Sequence, residues 1–160
     1  GEEYDVVRTT TATRNPTFER PISGEDLIAF QRLVRTVPVA EPVMRHALDI
    51  VRASRPKDGT CPESVGKWVA FGASVRAAQY LVLGGKARAL LAGRTWVGTE
   101  DIQAMAHPVL RHRIITNFNA EADRIGPDDV VEYLLEHVPV SDADVENQVV
   151  AGLFRGEVQE

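Results

Sequence analysis

Apolar residues recur along most of the chain with the spacing of one face of an α-helix. Ser23 precedes the first series as a candidate N-cap, and Pro38 follows it. Its members are Leu27, Phe30, Leu33, Val34 and Val37. A second helix is predicted from about Pro42 to Ser54, because proline suits the first helical position and another proline follows at position 56.

The longest predicted helix runs from about Ser74 to Ala92, with Gly93 as its stop. Its predicted buried side comprises Ala77, Ala78, Leu81, Val82, Leu90 and Leu91. Thr99 opens another helix, which Pro108 is expected to bend. A last helix begins at Pro127. Roughly six helices without a convincing hairpin predict an all-α fold, a helical bundle.

Composition limits the class of protein. A length of 160 residues suits one domain, and 44% hydrophobic with 26% charged residues is ordinary for a globular chain. No apolar run approaches the 18 residues of a membrane span, and no signal peptide is recognisable. One cysteine cannot form an internal disulfide, so we expect a cytoplasmic protein. Because the sequence starts at Gly1-Glu2-Glu3, as if inside a helix, we expect a piece of a longer chain.

The net charge of −5 is concentrated at the end of the chain. After Pro139 there are five acidic residues and one basic residue, so the preceding part is nearly neutral. Such a body has no overall attraction for nucleic acid. In the tail, Val145, Val149, Val150 and Leu153 have near-helical spacing, which leaves a docked helix or a disordered segment open.

Gly84-Gly85-Lys86 invites comparison with a phosphate-binding loop. The G-x-x-x-x-G-K-[ST] pattern needs glycine where Tyr80 stands and Ser or Thr where Ala87 stands. The two glycines are better explained by close packing of a neighbouring helix. No apolar strand ends in paired acids that could hold magnesium, so the chain lacks the groups needed to hydrolyse a nucleotide. We therefore predict no catalytic residue within it.

Histidines and the cysteine give weak signals. The four histidines include no H-x-x-x-H pair, and Cys61 has no C-x-x-C partner, so no metal site is predicted. We interpret most of the histidines as surface or capping residues. A Cys61–His pair for nucleophilic catalysis stays open, as one remote class of function.

Two groups of residues could bind an anion or a partner. Arg111-His112-Arg113 is a compact basic cluster, interpreted either as a solvated helix C-terminus or as a contact for phosphate or an acidic surface. Arg76 would lie in the first turn of the long helix, where a cation opposes the helix dipole. Free amides and a guanidinium together suit a phosphate or carboxylate. From the residues alone, an ion pair between Arg76 and an internal acid is the favoured alternative.

The sequence resembles the C-terminal lid of the MoxR family of AAA+ ATPases over residues 1–139. The resemblance lies in Trp68–Gly72, in Gly72-Ala73-Ser74-Val75-Arg76-Ala77 and in the helix through Gly93-Arg94. It continues in Val97-Gly98-Thr99-Glu100-Asp101-Ile102 and in Pro108-Val109-Leu110-Arg111-His112-Arg113-Ile114. Residues 20–39 and 125–139 are similar in pattern but less specific.

The resemblance implies that Arg76 is the sensor-2 arginine, which reaches the γ-phosphate of ATP. Gly72, Ala73 and Ser74 would then lie at the nucleotide, and Arg111, His112 and Arg113 at a possible interface. Val75 departs from the family, which usually has proline there. ATP and Mg would be bound by the parent protein, with no tightly bound cofactor expected on this chain.

The resemblance also implies a division of the chain. Residues 1–20 would be the last helix of a truncated α/β ATPase subdomain, 21–139 the helical lid and 140–160 an acidic C-terminal tail. The implied partners are the upstream α/β subdomain, neighbouring subunits of a homo-oligomeric ring and a von Willebrand factor A-type protein. The family's implied role is chaperone-like maturation or activation of partner complexes. The alternative is a free-standing helical protein–protein interaction module without nucleotide binding.

Overall fold

A computed structural model describes residues 1–13, 19 and 21–140. Two compact units divide the chain, Gly1–Gln31 and Arg32–Glu160. The predicted acidic tail from residue 141 onward lies outside the described residues. The described ranges contain nine helices and two short strands, so the all-α class is confirmed, although the predicted number of helices was too low.

The first unit contains α1 (Glu2–Thr11) and most of α2 (Gly24–Thr36). Ser23 caps α2 as predicted, because its hydroxyl accepts from the Asp26 amide at 3.1 Å while the Asp26 carboxylate accepts from the Ser23 amide at 2.8 Å. Neither helix buries a residue. Leu27, Phe30 and Leu33 are therefore helical but about half exposed, whereas Val37, the last of the predicted apolar series, follows α2 and is buried.

The second unit begins with α3 (Glu41–Ala53), α4 (Glu63–Trp68) and strand β1 (Val69–Phe71). The long helix α5 (Val75–Leu91) follows, then α6 (Thr99–Ala104) and α7 (Ala106–Leu110). Strand β2 (Ile115–Thr116), α8 (Phe118–Asp123) and α9 (Pro127–His137) complete it. The antiparallel pair β1–β2, with Phe71 opposite Ile115, was not predicted, because three and two residues are too short for a strand signal.

The core of this unit lies where α3, α5, α6, α7 and α9 meet. Each contributes a fully buried side chain, respectively Ile50, Leu81, Ile102, Leu110 and Leu134. Of the predicted buried face of α5, Ala77, Ala78 and Leu81 are buried, Val82 and Leu90 are partly buried, and Leu91 is 89% exposed. Leu91 is the last helical residue, and Gly93 ends the helix at φ +72°, a conformation that favours glycine.

Gly84 and Gly85 confirm the predicted close approach of a neighbouring helix. A Cβ atom on Gly85 would lie 3.1 Å from both Ile102 Cδ1 and Val97 Cγ1, and one on Gly84 would overlap the Met105 side chain. Because α6 presses on α5 at these two positions, the glycines serve packing within the unit.

Candidate functional site

The first turn of α5 has neither a side-chain cap nor an acidic residue. Ser74 occupies the N-cap position in an extended conformation, but its side chain makes no capping hydrogen bond. No acidic residue lies in this turn. The first amides of a helix have no intrahelical acceptor. The Ala77 amide donates to the Ser74 carbonyl oxygen at 2.8 Å. The Val75 and Arg76 amides thus begin α5 without the capping oxygen or the carboxylate that helix starts commonly have.

Arg76 is the second residue of α5, and its side chain is exposed. The internal ion pair favoured from the residues alone is not found, since no carboxylate of the described residues lies within 4.0 Å of its guanidinium. α5 begins at Val75 without the proline usual at that position. Among the described residues the Arg76 guanidinium has no carboxylate partner, so its charge is available to a ligand.

The segment before α5 is fixed to the end of α3. The buried Ser54 hydroxyl accepts from the Ala73 amide at 3.0 Å, and Arg55 Nε donates to the Ala73 carbonyl oxygen at 2.8 Å. A Cβ atom on Gly72 would lie 2.2 Å from the Ser54 carbonyl oxygen. Only glycine fits there without displacing the backbone, so the small residues position the start of α5.

These contacts change the interpretation of Gly72 and Ala73. They were expected to lie at the nucleotide, whereas both face the end of α3, and both polar backbone groups of Ala73 are occupied within the unit. That Gly72, Ala73 and Ser74 lie at a nucleotide stays a prediction. Ser54 and Arg55 were missed, because nothing in the sequence near Pro56 indicates a contact with residues 18 or 19 positions later.

The basic cluster follows the C-terminal end of α7, the location that the helix-terminus interpretation predicted. Two of its residues make contacts within the unit. Arg111 Nε lies 3.0 Å from Asp128 Oδ1 at the start of α9. The Arg113 guanidinium donates to the Val109 carbonyl oxygen and lies 5.0 Å from the centre of the Tyr80 ring. His112 is exposed and touches Arg113. A role of the cluster at an interface stays a prediction.

Sequence reasoning missed the strongest electrostatic cluster. The Asp101 side chain is fully buried and accepts from Arg88 Nη1 at 2.6 Å and from both terminal nitrogens of Arg94 at 2.6 Å. It also accepts from the Gly98 amide at 3.0 Å. Burial raises the pKa of Asp101, but the hydrogen bonds from Arg94, Gly98 and Arg88 outweigh it, so the pKa is lowered. The cluster joins the end of α5 to α6.

The surroundings of Cys61 and of the histidines that the structure describes favour structural roles. His46 is buried in α3, whereas His107, His112 and His137 are not, as expected for a set of histidines that are mostly surface or capping residues. His107 bridges two carboxylates. Burial and the charge of Asp58 raise the pKa of the Cys61 thiol. A thiol with a raised pKa holds less of the nucleophilic thiolate at neutral pH. Among the residues described, no three potential ligands come together as a metal site.

Residues 63–134 match the AAA lid domain family. The chain is 30% identical over 137 residues to the Chaperone MoxR1 of Mycobacterium tuberculosis, a match that covers 86% of this chain and 36% of that protein. The chain carries the lid domain of a MoxR-type AAA+ ATPase. The matched part of this MoxR lid begins at α4, and it includes Arg76, the basic cluster and Asp101.

Two further relatives resemble the MoxR lid. The uncharacterized protein YeaC of Bacillus subtilis is 29% identical over 140 residues, 87% of this chain and 41% of its own length. A crystal structure of a candidate ATPase from Cytophaga hutchinsonii aligns with a TM-score of 0.74 at 29% identity, covering 87% of this chain and 42% of that one. The chain thus spans less than half the length of these relatives. Within the described ranges no helix combines the length and apolarity of a membrane span.

Proposed function

We propose that Arg76 is the sensor-2 arginine of an AAA+ ATPase and contacts the γ-phosphate of ATP bound by a preceding α/β subdomain. The observation that carries the proposal is an exposed arginine without an ion pair to the described residues, in a first turn that has no acid and no side-chain cap. A guanidinium can bind phosphate oxygens in a bidentate manner, and helix amides favour the same charge.

In this proposal the lid supplies only part of the nucleotide site. The phosphate loop, the Mg-binding acids and the attacking water belong to the α/β subdomain, and this chain contributes Arg76 and the first amides of α5. Ser74, which is exposed beside them, lies where a phosphate oxygen could accept from its hydroxyl. Gly72 and Ala73 hold the turn in place through α3.

The exposure of α1 supports assigning it to a different subdomain from the lid. α1 buries none of its residues, and Tyr4, Val6 and Val7 are each more than half exposed. A helix with such a surface needs a partner to bury its apolar side chains. We assign residues 1–20 to the last helix of the α/β subdomain and residues 21–139 to the lid, which would move as a rigid body when ATP is bound or hydrolysed.

The test is Arg76→Ala in the full-length protein. We expect ATP turnover to fall by about tenfold or more, because one charge-assisted hydrogen bond to phosphate is worth roughly 1.5–3 kcal/mol. Arg45→Ala is the matched control, since Arg45 is an exposed arginine on α3 that pairs with Glu41. Unchanged ATP affinity and turnover in Arg76→Ala would refute the assignment.

A chaperone-like role is the finer part of the proposal. Its support is the name of the mycobacterial relative, which is a chaperone. We propose that the full-length protein forms a homo-oligomeric ring in the cytoplasm and helps a partner complex to mature, with a von Willebrand factor A-type protein as one partner. Sedimentation of the full-length protein with and without ATP tests the ring, and a persistent monomer would contradict it.

The alternative function is a free-standing helical interaction module. The exposure of Phe71 and Phe118, at 69% and 79%, favours some protein contact in either case. The reading frame upstream of Gly1 separates the two proposals. A G-x-x-x-x-G-K-[ST] loop there supports the ATPase, and its absence would leave the interaction module.

A further inference from the structure

A groove of about 400 Å³ lies between α3 and α5, beside the end of α2. Met44 and Leu48 of α3 form one wall, and Val75 and Val82 of α5 contribute to the other. Met44 and Val75 are 44% and 56% exposed, so the apolar lining is open to solvent. A groove with apolar walls suits the apolar face of an amphipathic helix.

The charged residues that line the groove are all basic. Arg35 and Lys86 are among its lining residues, and no acidic residue is. Lys86 Nζ donates to the Arg35 carbonyl oxygen at 3.2 Å, which holds the ammonium at the groove. Neither cation forms an ion pair with a carboxylate of the described residues. The groove therefore favours an acidic occupant.

The chain itself contains a segment with the matching chemistry. Residues 141–160 carry five acids and one arginine, and their apolar residues include Val145, Val149, Val150 and Leu153. Separations of four, one and three residues place these four side chains on one side of a helix. Acids lie on both sides of this apolar series in the sequence.

We propose that residues 141–160 bind in the α3–α5 groove of the same chain as an amphipathic helix. The valines contact Met44, Leu48 and Val82, and the acids lie near Arg35 and Lys86. α9 packs against α3, which also forms one wall of the groove. The six residues from Pro139 to Asp144 span up to about 20 Å when extended.

Attachment to the same chain favours this occupant over a second copy. A tethered segment has an effective concentration in the millimolar range, so even weak apolar and electrostatic contacts suffice for occupancy. The proposal does not depend on Arg76 or on nucleotide, and its test uses the chain without ATP.

The two methionines make a direct test possible. Met44 lies in the groove, whereas Met105 packs against Gly84 on the α6 side of α5. In a Cys61→Ser chain with ¹³C-methyl methionine, a nitroxide is attached through Ala151→Cys. We expect the label to broaden the Met44 methyl signal at least twofold more than that of Met105, independently of protein concentration.

Charge variants provide the control. Lys86→Glu is expected to reduce the broadening of Met44 at least twofold, whereas Lys57→Glu, in an exposed loop outside the groove, should leave it unchanged. An unlabelled chain with Val149→Asp and Val150→Asp should shift the Met44 methyl resonance and leave Met105 in place. This second measurement does not require the Cys61→Ser background.

Three results would overturn the proposal. Equal broadening of both methionines would mean that the tail has no preferred position. Broadening seen only between separately labelled chains would assign the groove to the tail of a second copy. If neither the label nor the two valine substitutions change the Met44 resonance, the tail does not occupy the groove, and another protein is then its expected occupant.

Discussion

Asp101 shows how a single buried charge can be retained at a helix junction. Its carboxylate receives hydrogen bonds from two arginines and a backbone amide, which satisfy both oxygens. Arg94 is 19% exposed and also lies 5.2 Å from the Trp96 ring centre. A buried carboxylate is tolerated when it is paired and hydrogen-bonded, but removal of its charge leaves the partners uncompensated.

We expect Asp101→Asn to lower the free energy of unfolding by about 2–4 kcal/mol, below the upper range for buried pairs because Arg88 is 45% exposed. Urea denaturation at pH 7 measures this. Glu41→Gln is the control, since the Glu41–Arg45 pair is exposed and should contribute less than about 1 kcal/mol. Equal losses in the two variants would show that Asp101 is not a stabilising centre.

The contribution of Asp101 to the free energy of unfolding should also depend on pH in the acid range. Because the pKa of Asp101 is lowered on folding, its stabilising effect is present above the unfolded value of about 3.9 and is lost as the pH falls through the folded value. We therefore expect the free energy of unfolding of the wild type to fall more steeply below pH 4 than that of Asp101→Asn. Parallel curves would contradict the assigned cause.

Gly72 is the residue whose substitution should most affect the position of Arg76. Gly72→Ala would place Cβ within 2.8 Å of three backbone atoms of Ser54 and Arg55, which cannot move away as a side chain could. We expect a loss of about 1–3 kcal/mol in the free energy of unfolding, measured by urea denaturation. Gly59→Ala has open space around it and is expected to be nearly neutral.

Arg76 could be singled out from the sequence, whereas the importance of Asp101 could not. A cation at a helix start conflicts with the dipole, so Arg76 could be singled out, and the resemblance to a family gave it a role. Asp101 follows Thr99 and Glu100 in an ordinary acidic first turn. Its burial depends on Arg88 and Arg94, which approach it only after α5 has packed on α6, so its importance could not be predicted locally.

The contact between α7 and α9 depends on a histidine with two acidic neighbours. His107 Nδ1 lies 3.1 Å from Asp128 Oδ1, and its Nε2 lies 2.9 Å from Glu132 Oε2. The hydrogen bonds with Asp128 and Glu132 raise the pKa of His107 above its ordinary value. Both carboxylates are more than half exposed, so the contribution of the pair to stability is modest.

A raised pKa fixes the direction of the pH effect. The stabilising contribution of His107 is fully present below the unfolded value of about 6.5 and is lost as the pH rises through the folded value. We expect His107→Gln to flatten the decline in unfolding free energy above pH 6, as measured by urea denaturation across pH 5.5–9. His112→Gln should keep the wild-type slope, and a decline that persists in His107→Gln would place its origin elsewhere.

Helix ends were predicted better than helix interruptions. Ser23, Gly93 and Pro127 act as the capping rules require, because these signals are local. Pro108 was expected to bend a single helix, but the chain breaks at Met105 and Pro108 becomes the third residue of α7, where a proline costs no hydrogen bond. The pair β1–β2 depends on contact between distant segments, which periodicity does not report.

The MoxR lid offers few groups to a nucleotide. Arg76 and the first amides of α5 would supply about 2–3 kcal/mol, which is less than the 4.1 kcal/mol of a 1 mM dissociation constant. We therefore expect calorimetry of the 160-residue chain with ATP to show no binding at micromolar concentrations. A micromolar dissociation constant would show that the chain holds a nucleotide site of its own.

α5 also has a mechanical consequence. Its 17 residues make a rod about 25 Å long, with Arg76 near one end and Arg88, bound to the buried Asp101, near the other. A rod held at one end by a ligand acts as a lever, so a tilt of about 10° at the first turn displaces the other end by roughly 4 Å. Because α6 is joined to that end by the Asp101 cluster, a contact of one phosphate with one arginine would become a movement of ångströms at the opposite side of the lid.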